Sequence, residues 1–99
     1  MNLVLEKKEE DIIIKIDGEI TINNFDQISA MINENIAENI DYILDFENVT
    51  YIDSAGMGGL VAKLKEIYSY NSNLRIVHTP AKILKLFKLT KLDKFFEIY

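Results

Sequence analysis

Short apolar runs alternate along this chain with longer segments of helical periodicity, and this alternation restricts the possible folds more than any other feature. Three runs are rich in aliphatic or aromatic side chains and too short for helices: residues 12–16, 42–46 and 74–78. Two intervening segments, beginning at Phe25 and at Met57, place their apolar residues three or four positions apart, as amphipathic helices do. Strands that alternate with helices require crossover connections, so the sheet is predicted to be at least partly parallel.

The order of the predicted strands also indicates an antiparallel pair at the start. Residues 3–5 form a short apolar run that a charged turn separates from residues 12–16. Residues 42–46 are apolar on both faces, which predicts a central strand covered by helices, with residues 48–53 as its exit. The predicted fold class is therefore α/β, with a mixed parallel and antiparallel β-sheet flanked by α-helices.

Capping residues predict where the helices begin. Asn23 or Asn24 is available as the N-cap of the first helix. Thr79 offers an N-cap hydroxyl to the third helix, and Pro80 fits the first helical position because its missing N–H would be unpaired there anyway. A last apolar strand is predicted within residues 95–99.

Composition excludes several classes of protein. The chain has 99 residues, which predicts one domain over residues 1–99, and it lacks cysteine, which excludes disulfide scaffolds and thiolate metal sites. No apolar run approaches the roughly 20 residues of a membrane span, so we expect a cytoplasmic protein without direct membrane insertion. The formal net charge of −5 argues against nucleic acid as a partner. Residues 1–59 hold thirteen acidic and three basic side chains, and this asymmetry suggests oriented docking on a protein.

The most informative segment is residues 51–60, where a strand exit turns directly into a second helix predicted over residues 54–70. Ser54 falls at the helix N-terminus, where unpaired backbone N–H groups and the positive end of the helix dipole favour an attached phosphate. Gly56 and Gly58 would let a partner approach closely. Alternatively, Ser54 is only an N-cap and the glycines serve helix packing, and the spacing alone does not decide between these interpretations.

Other side chains that carry chemistry are sparse. His78 is the only histidine and lies at the end of a predicted strand, so we expect a structural role and no metal site. Asp45, Glu47 and Asp53 are expected to lie together at the carboxyl edge of the sheet as capping or solvated groups. No nucleophile has a plausible acid or base partner, so the chain is not expected to be an enzyme.

The order of these segments resembles the STAS domain family and, within it, the bacterial anti-sigma factor antagonists. The resemblance covers nearly the whole chain. It rests on Gly18-Glu19-Ile20 after the second strand, on residues 42–46 leading to Asp53-Ser54-Ala55-Gly56-Met57-Gly58, and on Thr79-Pro80 with the apolar residues that follow. Two positions depart from the family pattern: Ala55 stands where serine or threonine is frequent, and Thr21 stands where aspartate is frequent.

The resemblance implies a partner switch that phosphorylation controls and that needs no cofactor of its own. An anti-sigma factor serine kinase would bind the chain while Ser54 is unphosphorylated, and a sigma factor would be released. The kinase would then phosphorylate Ser54 with its own ATP and magnesium, and a PP2C-type phosphatase would restore the active form. The implied partner-binding residues are Asp53, Ser54, Ala55, Gly56, Met57 and Gly58, with Thr21, Asn23 and Asn24 from the loop after the second strand.

Two other functions stay open, as does the oligomeric state. A domain of the same fold can serve as a stand-alone assembly subunit of a transporter or a sensory complex. The alternative from another class is a receiver-like signalling domain that accepts a phosphoryl group on Asp45. That chemistry needs a magnesium site built from several carboxylates and a supporting lysine.

Overall fold

A mixed five-stranded β-sheet forms the frame of the molecule, and its strands lie side by side in their order along the chain. The computed structural model describes residues 1–99. The strands are β1 (Asn2–Lys7), β2 (Asp11–Ile20), β3 (Asp41–Ile52), β4 (Asn73–Val77) and β5 (Glu97–Ile98). The helices are α1 (Phe25–Glu34), α2 (Ser54–Tyr68) and α3 (Ala81–Leu89), and a 3₁₀ helix (Leu92–Lys94) precedes β5. β1 is antiparallel to β2 and the other pairs are parallel, which confirms the predicted mixed α/β sheet.

The sheet buries one of its faces against the helices. Alternate side chains of the three central strands, among them Ile14, Leu44 and Ile76, are fully buried and join residues from all three helices in one cluster of 21 buried side chains. Consecutive strands are neighbours, and right-handed crossovers between them place every helix on the same side of the sheet. β3 is central, as predicted, but the helices cover only one of its faces.

The opposite face of the sheet is open and carries charged side chains. Arg75 of β4 lies 3.4 Å from the Asp41 carboxylate of β3 and 3.5 Å from the Glu97 carboxylate of β5. Val4 of β1 is 60% exposed. Because ion pairs span the strands on this side, the face is compatible with water without a covering element.

β3 is longer than the sequence indicated. Residues 48–53 were predicted to leave the sheet, yet β3 continues to Ile52 and pairs with β2 over that stretch. Two register shifts interrupt this pairing, so Phe46, Val49 and Ile52 are buried at intervals of three residues instead of two. Each shift is a β-bulge that puts an extra residue into β3 and abolishes the alternation by which a strand is recognised. The extension carries the ends of β2 and β3 towards the start of α2.

The start of α3 also differs from the prediction. α3 begins at Ala81, and Pro80 occupies the N-cap position, so Pro80 is not the first helical residue. Thr79 does not cap the helix, and its hydroxyl oxygen is buried without a hydrogen-bond partner. The predicted last strand is limited to the two residues of β5. None of the helices is long and apolar enough to cross a membrane.

Candidate functional site

The candidate site forms where the parallel strands β2 and β3 end together. Ile20 and Ile52, their last residues, are paired across the two strands. The N–H of Asp53 donates to the Ile20 carbonyl at 3.1 Å. Residues 21–24, which follow β2, therefore lie against the start of α2, which follows β3. The fold thus brings together the two segments that the sequence predicts to bind a partner.

Asp53 is the N-cap of α2 and also holds the neighbouring loop. Its Oδ1 accepts the Gly56 N–H at 2.7 Å, and its Oδ2 accepts the Ile22 N–H at 3.1 Å. One carboxylate thereby satisfies a free N–H of the first helical turn and ties the loop to the helix. The alternative is wrong in making Ser54 an N-cap, because Ser54 is the first residue inside the helix. Its other half, that the glycines serve helix packing, is confirmed at Gly56, where an added Cβ would lie 3.0 Å from the Ile52 side chain.

Ser54 is exposed on the first turn of α2. The N–H groups of a first helical turn lack partners within the helix, and the positive end of the helix dipole lies there. No acidic side chain occupies that turn of α2, so the helix itself leaves the position open to an anion. The carboxylate of Asp53, the residue before Ser54, is already engaged, since both of its oxygens accept backbone N–H groups.

The residues after Ser54 divide into an outer and an inner set. Ala55 and Gly58 are exposed, and a Cβ added at Gly58 would meet no atom within 4 Å. Gly56 is buried, and a Cβ there would lie 3.0 Å from the Ile20 carbonyl oxygen. Met57 is also buried. Ala55 and Gly58 are therefore open to a partner, whereas Gly56 and Met57 act from inside by seating α2 on the sheet.

The loop between β2 and α1 is held by its own polar groups. The Thr21 hydroxyl accepts the Asn23 N–H at 3.2 Å, and the Asn24 side chain accepts the Thr21 N–H at 2.9 Å and donates to the Glu19 carbonyl at 2.8 Å. Asn24 is the N-cap residue of α1, but its side chain makes no capping hydrogen bond because it serves the loop. Thr21 and Asn24 thus work as supports, while Asn23 is exposed.

Ile22 lies in the same loop but is not among the predicted partner-binding residues. Its side chain is 71% exposed, although isoleucine is usually buried. The signal was present in the sequence as one large aliphatic residue within the polar stretch 21–24, directly after a strand. The surface formed by this loop and the start of α2 therefore exposes an apolar side chain, that of Ile22, as well as the hydroxyl of Ser54.

A second group of polar side chains lies at the end of the β3–β4 pairing, apart from Ser54. Asp45 is about nine-tenths buried, and its Oδ1 accepts the Glu47 N–H at 3.0 Å and lies 3.1 Å from Nδ1 of His78. The ligand atoms of the three residues lie within 4.8 Å of one another, and such donors suit a divalent cation. The expected grouping of Asp45 with Glu47 is confirmed. Asp53 is not part of the group because it caps α2, and His78 joins it instead.

Comparison with known proteins places this architecture in a family. A family model for the STAS domain matches residues 2–99. The anti-sigma-B factor antagonist of Bacillus subtilis (strain 168) is 24% identical over 98 residues, which cover 99% of this chain and 90% of that protein.

Two solved structures share the fold over nearly the whole chain. A candidate anti-sigma factor antagonist from Thermotoga maritima is 25% identical with a TM-score of 0.86, and the match covers 98% of this chain and 85% of that one. The Bacillus cell fate determinant SpoIIAA in its phosphorylated form is 20% identical with a TM-score of 0.69, and the match covers 99% and 91%. Together with the sheet order and the strand-to-helix turn at Ser54, the family match shows that the chain belongs to the STAS domain family.

Proposed function

We propose that the chain is an anti-sigma factor antagonist whose docking surface is switched by phosphorylation of Ser54. The observation that carries the proposal is an exposed serine on the first turn of α2, next to an N-cap carboxylate that backbone N–H groups already occupy. The B. subtilis relative is an anti-sigma-B factor antagonist, and a phosphorylated structure exists for the Bacillus protein of the same fold. Both support the same class of function for this chain.

The switch follows from a local change of charge. The unphosphorylated surface around Ser54 and Ala55 binds an anti-sigma factor serine kinase, which then gives up its sigma factor. A phosphate on Ser54 adds a charge of about −1.5 to −2 at neutral pH. The helix N-terminus accommodates this anion, so the fold is kept, but the surface beside Asp53 becomes strongly negative and releases the partner.

The remaining chemistry belongs to the partners. The kinase supplies ATP and magnesium, and a PP2C-type phosphatase removes the phosphate, so the chain acts as a cytoplasmic regulator and not as an enzyme. The proposed contact residues are Ser54, Ala55, Gly58 and Asn23, which are exposed, with Thr21, Asn24, Asp53, Gly56 and Met57 holding them in place. Nucleic acid is not a proposed partner, in keeping with the net charge of −5.

Binding measurements on substituted chains test the switch. A candidate anti-sigma factor serine kinase is purified, and its affinity is measured for the wild type, Ser54→Ala, Ser54→Asn and Ser54→Asp. Ser54→Asn is the matched control because it has the size of aspartate without its charge. We expect the alanine variant to bind persistently in the presence of ATP and the aspartate variant to bind at least about tenfold more weakly than the asparagine variant, a loss of about 1.4 kcal/mol. Equal affinities of the asparagine and aspartate variants would contradict the switch.

The site of phosphorylation separates this function from the alternatives. After incubation with the kinase and ATP, mass spectrometry should locate an acid-stable phosphate on Ser54. A receiver-like domain would instead carry an acid-labile phosphate on Asp45, whose side chain is about nine-tenths buried. An assembly subunit would bind its complex with the same affinity whether residue 54 is serine or aspartate.

A further inference from the structure

The loop between β2 and α1 presents one large apolar side chain to solvent. Ile22 is 71% exposed, and its neighbours in the loop are polar. A largely exposed aliphatic side chain gains little from the fold of its own chain, since burial against apolar neighbours is what stabilises such a residue.

The backbone beneath Ile22 is fixed on both sides. Its own N–H donates to Asp53 Oδ2 at 3.1 Å. The N–H groups of Thr21 and Asn23 donate to side chains within the loop, and the Asn24 side chain reaches back to the Glu19 carbonyl. A side chain presented from a fixed backbone loses little conformational freedom when it binds, so most of the gain from its burial is available for affinity.

The position of Ile22 ties it to the Ser54 surface. The carboxylate that accepts the Ile22 N–H also accepts the Gly56 N–H in the first turn of α2. A partner that covers the exposed Ser54 at the start of that turn therefore also reaches the loop. Many protein interfaces have an apolar centre surrounded by polar residues. On this surface Ile22 is the apolar centre, and the exposed residues Ser54 and Asn23 are the polar surroundings.

We propose that Ile22 is the apolar anchor of this surface and fills a hydrophobic pocket on the anti-sigma factor kinase, beside the part of the kinase that contacts Ser54. This inference rests on the proposed function. The anchor also increases the difference in affinity for the kinase between the unphosphorylated and the phosphorylated chain. A closed apolar contact excludes water from the edge of the Ser54 surface, and a phosphate brought into such a contact without a compensating partner is costly.

The test compares two exposed aliphatic residues on different faces. Ile22→Ser removes the proposed anchor, Ile22→Leu keeps it apolar, and Val4→Ser, which changes a side chain that is 60% exposed on β1, is the matched control. Affinity for the kinase that binds the unphosphorylated wild type, and the kcat and KM for phosphorylation of Ser54, are measured for each chain. All three variants should fold, because neither side chain is part of the core, and circular dichroism checks this.

We expect Ile22→Ser to weaken binding by about 10- to 30-fold and to raise KM with little change in kcat, as loss of an interface anchor does. Ile22→Leu and Val4→Ser should stay within about threefold of the wild type. If Ile22→Ser binds like the wild type while Ser54→Asp does not bind, the anchor is refuted and the phosphorylation switch stands. If Ile22→Ser and Val4→Ser weaken binding equally, the loss of affinity does not depend on the position of the aliphatic side chain, and the role of Ile22 as an anchor is likewise refuted. A wild type that no such kinase binds overturns both proposals.

Discussion

Two glycines in the first turns of α2 offer a direct test of how the helix is seated on the sheet. Replacing glycine by alanine inside a helix stabilises it by about 0.5–1 kcal/mol, and this gain applies to Gly56 and Gly58 alike. At Gly58 the new methyl group meets no atom within 4 Å, so the gain should appear in full. At Gly56 it meets the Ile20 carbonyl oxygen and the Ile52 side chain, each at 3.0 Å. Overpacking of this kind costs about 1–3 kcal/mol.

The difference between the two variants isolates the steric cost, since the gain in helix propensity is common to both. Gly58→Ala should raise the free energy of unfolding by about 0.5–1 kcal/mol. Gly56→Ala should lie about 1–3 kcal/mol below Gly58→Ala. The carbonyl cannot yield easily, because the Ile20 oxygen also accepts the Asp53 N–H at the helix start.

Urea unfolding followed by circular dichroism measures both free energies, and an unchanged m-value shows that the two variants unfold from equally compact states. In thermal unfolding, each kcal/mol corresponds to about 4–8 °C in a domain of this size. If Gly56→Ala is as stable as Gly58→Ala, the inference that α2 packs too closely on the end of β2 for a side chain at position 56 is refuted.

Two further predictions concern the supports of the site and the core. Asp53→Ala should lower the free energy of unfolding by about 1–2 kcal/mol, since it removes a helix cap and frees the loop at Ile22, and hydrogen exchange should show faster exchange of the Ile22 amide. Tyr42→Phe should cost about 1–3 kcal/mol in urea unfolding, because the Tyr42 hydroxyl accepts the Ala37 N–H and donates to the Asn35 carbonyl. Burial raises the pKa of the Tyr42 hydroxyl above its usual value of about 10, so the folded state favours the protonated phenol. This contribution is complete below about pH 10 and is lost as the pH rises through the raised pKa, and Tyr42→Phe should lack that part of the alkaline loss of stability.

The sequence was sufficient for the order of elements because the hydrophobic periodicity changes at each of them. The run at residues 12–16 and the helix from Phe25 lie where their patterns predict, and the run at residues 74–78 forms β4 except for His78, which lies just after the strand. The second half of β3 escaped prediction because its bulges break the alternation of buried and exposed residues. A threonine before a proline is typical of a helix start, and the sequence therefore predicts Thr79 as the N-cap of α3. In the structure Pro80 takes the N-cap position and α3 begins at Ala81.

The candidate site was predictable only in its outline. Ser54 stands out because a strand leads directly into a helix at that residue, and the exposed hydroxyl follows from this local turn. The second hydrogen bond of Asp53, to the N–H of Ile22, joins residues 31 positions apart and depends on β2 and β3 ending side by side. Local pattern cannot reveal a contact that the sheet register creates. The hydrogen bonds of Thr21 and Asn24 are local, and they give these half-buried residues a supporting role in the loop, while their predicted contact with a partner stays a prediction.

The groups that hold the surface around Asp53 in place differ from the groups that are exposed on it, so a charge can be added to this surface without disturbing the fold. The groups that fix the surface, namely the Asp53 carboxylate, the Gly56 backbone and the loop side chains, point inward or bond to backbone atoms. The groups left outside, Ser54 and Ile22, form no part of the buried core. If Ser54 is phosphorylated as proposed, the phosphate would change the electrostatic field that a partner meets, and we expect every hydrogen bond that shapes the surface to persist. Such a switch changes the charge of the surface but not its shape. The phosphorylated and unphosphorylated chains should therefore differ far more in affinity for the partner than in backbone structure.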